Sequence, residues 1–154
     1  MYLTKKIYIG ANYEHNNVKG VISLTKGKDN TPVVIDLSKV TQIEESAGYW
    51  RKANHIHKWF VANVQDGEDD CGEYHVTEEN LQKLLHDCKS VKENNALANE
   101  LLPPKSGFFF GSTDIDEYYM NKIDYTIEIL ENIFKTKPQG EDYLPDDYYY
   151  NSSW

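Results

Sequence analysis

The sequence predicts an α+β fold: a small N-terminal antiparallel sheet of three to four strands packed against three to four helices, ending in an acidic C-terminal tail expected to be disordered. Three observations predict it. Short β-branched or aromatic runs separated by turn residues fill the first 44 positions. Apolar residues then recur at helical spacing in successive stretches. From Pro138 onward this periodicity stops, and the chain carries four acids and no base.

Residues 2–9 (YLTKKIYI), 20–24 (GVISL) and 32–37 (PVVIDL) read as the strands of a three-stranded meander. Gly10, Asn16-Asn17, Gly27 and Asp29-Asn30 supply its turns, and residues 40–44 a fourth strand. So small a sheet must cover one face with helices. The first candidate is residues 47–64, where Trp50, Ala53, His57, Phe60, Val61 and Val64 make one apolar stripe and Arg51, Lys52 and Lys58 face water. It stops at Gln65-Asp66-Gly67 and runs into the acidic knot Glu68-Asp69-Asp70-Cys71.

Thr77 is the expected N-cap of a second helix, with Glu78 and Glu79 at its positive end and Leu81, Leu84, Leu85, Cys88 and Val91 as its stripe. Residues 94–102 form a short helix stopped by Pro103-Pro104. The loop KSGFFFGST follows, its Phe108, Phe109 and Phe110 expected to plug the core. Thr113 or Asp114, with Glu117 as capping-box partner, starts a last helix whose period (Ile115, Tyr119, Ile123, Thr126/Ile127, Leu130, Phe134) holds to about Lys135. The expected organisation is one domain over residues 1–137 and a tail over 138–154.

A chain of 154 residues, 40% apolar, can bury roughly two-thirds of its unfolded surface without disulfides or metal. The opening MYLTKKIYIG has no apolar leader, and no run approaches the ~18 apolar residues of a membrane span, so a cytosolic protein with reduced Cys71 and Cys88 is expected. Charge is segregated. Residues 1–64 hold nine Lys/Arg against five Asp/Glu (+4) and residues 65–154 hold seven against twenty (−13), which together give the net −9. Between Lys58 and Lys83 lie Asp66, Glu68, Asp69, Asp70, Glu73, Glu78 and Glu79 and no Lys or Arg. Such a field repels nucleic acid and draws basic protein surfaces; a solvated acidic face is the plainer account.

Three constellations can carry chemistry. His57, Cys71, His75 and Cys88 have the ligand types of a structural zinc site, although their spacing matches no standard finger or ribbon, and a core histidine with inert thiols accounts for them equally. Asp114, Asp116 and Glu117 offer paired carboxylates for a cation or for acid–base work, or simply helix capping. Tyr143, Tyr148, Tyr149, Tyr150 and Trp154, among Asp142, Asp146 and Asp147, suit docking on a basic groove, or are a solubilising tail. No P-loop, nucleotide fingerprint, serine elbow or metalloprotease helix is present.

The blocks GYWRKANHIHKWFVANVQDGEDDCGEYHV and LLPPKSGFFFGSTDIDEYYMNKIDYTIEIL resemble a family of small phage and prophage proteins of unassigned function, over about residues 47–135. Small acidic accessory proteins of this kind are similar in genre to anti-CRISPR proteins. The resemblance implies a non-enzymatic, phage-encoded inhibitor of a bacterial immune nuclease, acting in the host bacterial cytoplasm. It would bind the type II RNA-guided effector stoichiometrically and block DNA loading, since that nuclease holds its nucleic acids in lysine- and arginine-lined channels. Partner contacts are expected from Asp66, Glu68, Asp69, Asp70, Glu73, Glu78, Glu79, Asp142, Asp146 and Asp147, with a structural zinc as the possible cofactor and no direct binding of nucleic acid or membrane. Two alternatives stand beside it. One is a protein that binds or cleaves a small nucleotide signal, walled by residues 107–114, for which Arg51-Lys52 is the adjacent basic pair outside the first strand. The other is a metal-dependent enzyme using His57, Cys71 and the Asp114 cluster.

Overall fold

The computed structural model describes residues 1–10, 19–107, 112–136 and 147–153. It has the α+β architecture. The strands are β1 (Tyr2–Tyr8), β2 (Val21–Lys26), β3 (Thr31–Asp36), β4 (Gln42–Tyr49), β5 (Glu73–Val76) and β6 (Asp147–Asn151); the α-helices are α1 (Asn54–Asn63), α2 (Glu78–Glu93), α3 (Ala98–Leu101) and α4 (Glu117–Thr136). A four-stranded sheet runs in the order β4-β1-β6-β5, and β2 and β3 form a separate two-stranded sheet. The chain divides into two compact units, residues 1–5 with 46–154 and residues 6–45.

In the larger unit, the helices bury their apolar stripes as the periodicity requires. Thr77 caps α2 in a full capping box with Asn80, and Leu81, Leu84, Cys88 and Val91 are buried along that helix. α2 packs on α4, whose Ile123, Ile127, Leu130 and Ile133 are buried, and Lys89–Glu131 (2.8 Å) and Lys92–Asp124 (2.6 Å) clamp the rim between them. The cap of α4 lies two residues later than expected: the Tyr119 amide donates to Asp116 Oδ1 (2.9 Å), while Asp114 is turned back on Ser112. Trp50 is fully buried, its indole N–H donating to Thr126 Oγ1 (2.9 Å), and Phe60 packs beside it.

Three further expectations are corrected. Residues 47–49 belong to β4 and not to the first helix, which starts only at Asn54. Lys52, with φ 56°, breaks the helical path, the Trp50 amide is spent on the Met1 carbonyl (2.9 Å), and a Cβ on Gly48 would sit 3.1 Å from Ile129 and Trp50. The proposed meander is not continuous, because β1 and β4 join the four-stranded sheet and leave β2–β3 as a hairpin of its own. Finally, within the tail expected without structure, Asp147–Asn151 form β6, placed between β1 and β5. Tyr148 pairs with Val76 and Tyr150 with Tyr74, so Tyr150 and Val76 turn to the core while Tyr149 and His75 meet edge-on at 5.4 Å on the other face. The rest of the tail before Asp147, and the Phe108–Phe110 plug, lie outside the described residues.

Candidate functional site

α1 carries His57 into the core, where it is fully buried, and both ring nitrogens are occupied. Nδ1 lies 2.7 Å from the Tyr150 hydroxyl of β6; Nε2 lies 3.1 and 3.2 Å from the two oxygens of Asp69. A carboxylate only accepts, so Nε2 carries the proton and donates, which leaves Nδ1 to accept from the phenol. The imidazole is therefore neutral: burial pushes its pKa down, against the hydrogen bond and charge of Asp69. Burial, then the Asp69 charge, push the Tyr150 hydroxyl well up, keeping it a donor. Burial works against the Asp69 anion too, but the hydrogen bonds from Lys105 (Nζ to Oδ2, 2.7 Å) and His57 outweigh it and hold that carboxyl below its usual range. Tyr150 also stacks on Phe60, ring centroids 3.9 Å apart and nearly parallel.

This chain of groups joins four separate stretches: α1, the acidic segment, the loop after α3 and the last strand. A phenol–imidazole–carboxylate array can relay a proton, but here His57 and Tyr150 are fully buried and cannot reach a substrate in this arrangement. What the array does is fasten. It pins Asp69, and the segment around it, to the core.

That segment is wound tightly from Gln65 to Gly72. The amides of Gln65 and Gly67 donate to the Phe60 and Val61 carbonyls, and Gln65 Nε2 donates to the Glu68 carbonyl (2.8 Å). Asp66 and Cys71 take left-handed φ values of 51° and 62°, and Asp70 Oδ1 accepts from the Gly72 amide (2.8 Å) and the Tyr74 hydroxyl (3.0 Å). Of the acids assigned to partner contact, Asp66, Glu68 and Asp70 are exposed along this fixed backbone, and Glu73 on β5 and Glu78 and Glu79 in the first turn of α2 are exposed beyond it. Asp69 is turned inward onto His57 and Lys105, its side chain 23% exposed, and Asp147 lies 3.5 Å from His75. Asp142 and Asp146 fall outside the described residues.

The expected zinc tetrad is not brought together. His57 is fully engaged, His75 is exposed beside Asp147, Cys71 is exposed, and Cys88 is buried in the apolar core, where burial pushes its thiol up. Among the described residues no group of three or more His, Cys, Asp or Glu side chains is arranged to hold a metal ion. The Asp114 cluster is spent on local structure, Asp114 on Ser112 and Asp116 on the α4 cap. Arg51 and Lys52 are exposed, and the Arg51 carbonyl accepts from Tyr118. Tyr148 and Tyr149, expected as free anchors, are half-buried in the sheet; Tyr143 and Trp154 lie outside the described residues. Sequence reasoning named Tyr150 only as a docking aromatic of the tail, not as the buried partner of His57, and missed Lys105. The signal for Tyr150 was the β-prone run DYYYN; nothing local marks Lys105.

Fold and site together define a small α+β protein whose buried polar array is a clasp that fixes an acidic surface segment. No family model matches the chain, and no curated protein or solved structure matches it. Among the described residues no helix is long and apolar enough to cross a membrane.

Proposed function

We propose that this protein acts by stoichiometric binding to a basic, nucleic-acid-handling protein surface, as a phage-encoded inhibitor that occupies the DNA-loading channel of a bacterial type II RNA-guided nuclease. The observation that carries the reading is the exposure of Asp66, Glu68 and Asp70 along a segment fastened at Asp69 by His57 and Lys105, continued by the exposed Glu73 of β5 and Glu78 and Glu79 of α2. Carboxylates held in place pay little ordering entropy on binding and speed encounter with a lysine- and arginine-lined channel. A solubilising face needs no such fastening.

The test is a pull-down of the purified protein against the type II effector with and without guide RNA, followed by DNA-loading and cleavage assays. Inhibition is expected at one-to-one stoichiometry and should weaken with salt, because exposed charges are screened over a Debye length of ~10 Å at 0.1 M. Combining Asp66→Lys, Glu68→Lys and Glu79→Lys should slow association by roughly ten-fold or more while leaving the fold intact. Undiminished loading and cleavage with the protein in excess would retire the reading.

A further inference from the structure

A second feature lies apart from the clasp, in the cleft of about 270 Å³ bordered by α1, α2 and α3. Small-molecule sites run from roughly 300 to 1,000 Å³, so this one is sized for a single side chain. Its apolar walls are Trp59, Ala62, Leu101 and Pro103. At its base Asp87 is 4% exposed, and its Oδ2 accepts from both the Trp59 indole N–H (2.8 Å) and Lys83 Nζ (2.7 Å). Both of those bonds fall on Oδ2, and Oδ1 is not among the buried atoms left without a partner, so it is open to water in the cleft.

A neutral amide would satisfy the Trp59 indole without drawing a charge out of water, so a carboxylate here points to a cationic partner. The arrangement fits a cation. The Lys83 ammonium already sits against the carboxylate and 5.2 Å from the centre of the Trp59 ring, the pairing of anion and aromatic face that holds a positive charge. As a point charge, lysine serves one oxygen; the planar fork of a guanidinium serves two. Lys83 is 53% exposed and can return to water at small cost. With it swung out, the cleft is lined by Lys58 against Asp87 and Glu100, one base against two acids.

We propose that this cleft is a receptor for one arginine side chain of a protein partner, with Asp87 as its anchor, Trp59 as its stacking wall and Lys83 as an exchangeable resident cation. The proposal rests on the reading that the partner surface is basic, and it names one residue type through which that surface is gripped.

The experiment titrates acetyl-Gly-Arg-Gly-amide, and the same peptide with neutral citrulline in place of arginine, into the ¹⁵N-labelled full-length protein. The Trp59 indole resonance is read, identified by its absence in Trp59→Phe. The arginine peptide should shift it and the citrulline peptide should not. Asp87→Asn, which keeps an acceptor for the indole, should weaken binding roughly ten-fold or more, the loss of one charge-assisted pair. Lys83→Ala touches no core packing and should tighten binding several-fold. Equal shifts from both peptides, no shift from either, or weaker binding in Lys83→Ala would overturn the proposal. Effector binding without arginine-peptide binding would remove the cleft and keep the acidic-face reading; the converse would keep the cleft and remove that partner.

Discussion

Residues 6–45 and the unit formed by residues 1–5 with 46–154 differ in both core and charge. Among the described residues every buried hydrophobic side chain belongs to the larger unit, from Leu3 and Trp50 to Tyr150. By sequence, residues 6–45 hold five Lys against five Asp/Glu and are neutral, whereas the larger unit holds eleven Lys/Arg against twenty acids and carries the whole −9. The acid is thus placed on the unit that can hold it still. In the hairpin, by contrast, Val21 and Val34 are 63% and 67% exposed, and order comes from cross-strand pairs such as Ile22 with Ile35 and Leu24 with Val33. Charge meant only for solubility would have no reason to follow the core.

The sharpest way to break this contrast is at His57. His57→Ala removes a fully buried ring and strands two partners, the Tyr150 hydroxyl and the Asp69 carboxylate, so a loss of about 3–5 kcal/mol is expected in urea unfolding. Hydrogen exchange in residues 65–72 should rise in the same variant, since the segment loses its anchor. A cost under about 1 kcal/mol with unchanged exchange would mean that the clasp fastens nothing.

Acid should act on the larger unit in a defined window. Burial lowers the pKa of His57, and burial together with Lys122 lowers that of His55 to about 3, where the ring lies tilted against Tyr119 with centroids 4.1 Å apart. Both folded values lie below the unfolded histidine value of about 6.5, so the unfolded chain takes up these protons first and stability falls as pH drops below that point. For His55 the decline should continue toward pH 3 at up to about 1.4 kcal/mol per pH unit. Asp69, whose folded value is depressed, adds its loss only as pH falls from the carboxylate range through that folded value. His55→Leu should flatten the slope between pH 6.5 and 4 without unfolding the protein at pH 7, because its Nε2 has no partner among the described residues to lose. An unchanged slope in that variant would place the proton uptake elsewhere.

How much of this was legible depended on the range of the interaction. The α2 cap, its buried stripe, most of α4 and the burial of His57 follow from spacings within a few residues, and those readings hold. The identity of the groups around His57 was not readable. Its partners are a carboxylate 12 residues on and a phenol 93 residues on, in a tail whose run of tyrosines shows neither periodicity. Cys71, Cys88 and His75 fit zinc chemistry by type, but strand pairing and helix packing send them to different places. The helix drawn through residues 47–49 failed because apolar spacing cannot register the amide of Trp50 bonding to Met1, nor the close approach at Gly48.

The smallest expected effect tests the other side of the comparison. Leu24 in β2 is 49% exposed and faces Val33, itself 36% exposed, so Leu24→Ala removes one half-solvated cross-strand contact and leaves no cavity. Its cost should stay within about 0.5–1 kcal/mol, several times less than that of His57→Ala under the same conditions. Leu24→Val, which places a β-branched side chain there, should avoid most of that loss, since a strand on an open ribbon is sustained by local pairing more than by burial. A loss above about 2 kcal/mol for Leu24→Ala would show that this side chain is covered in solution, and the division between a unit with a core and one without would fall.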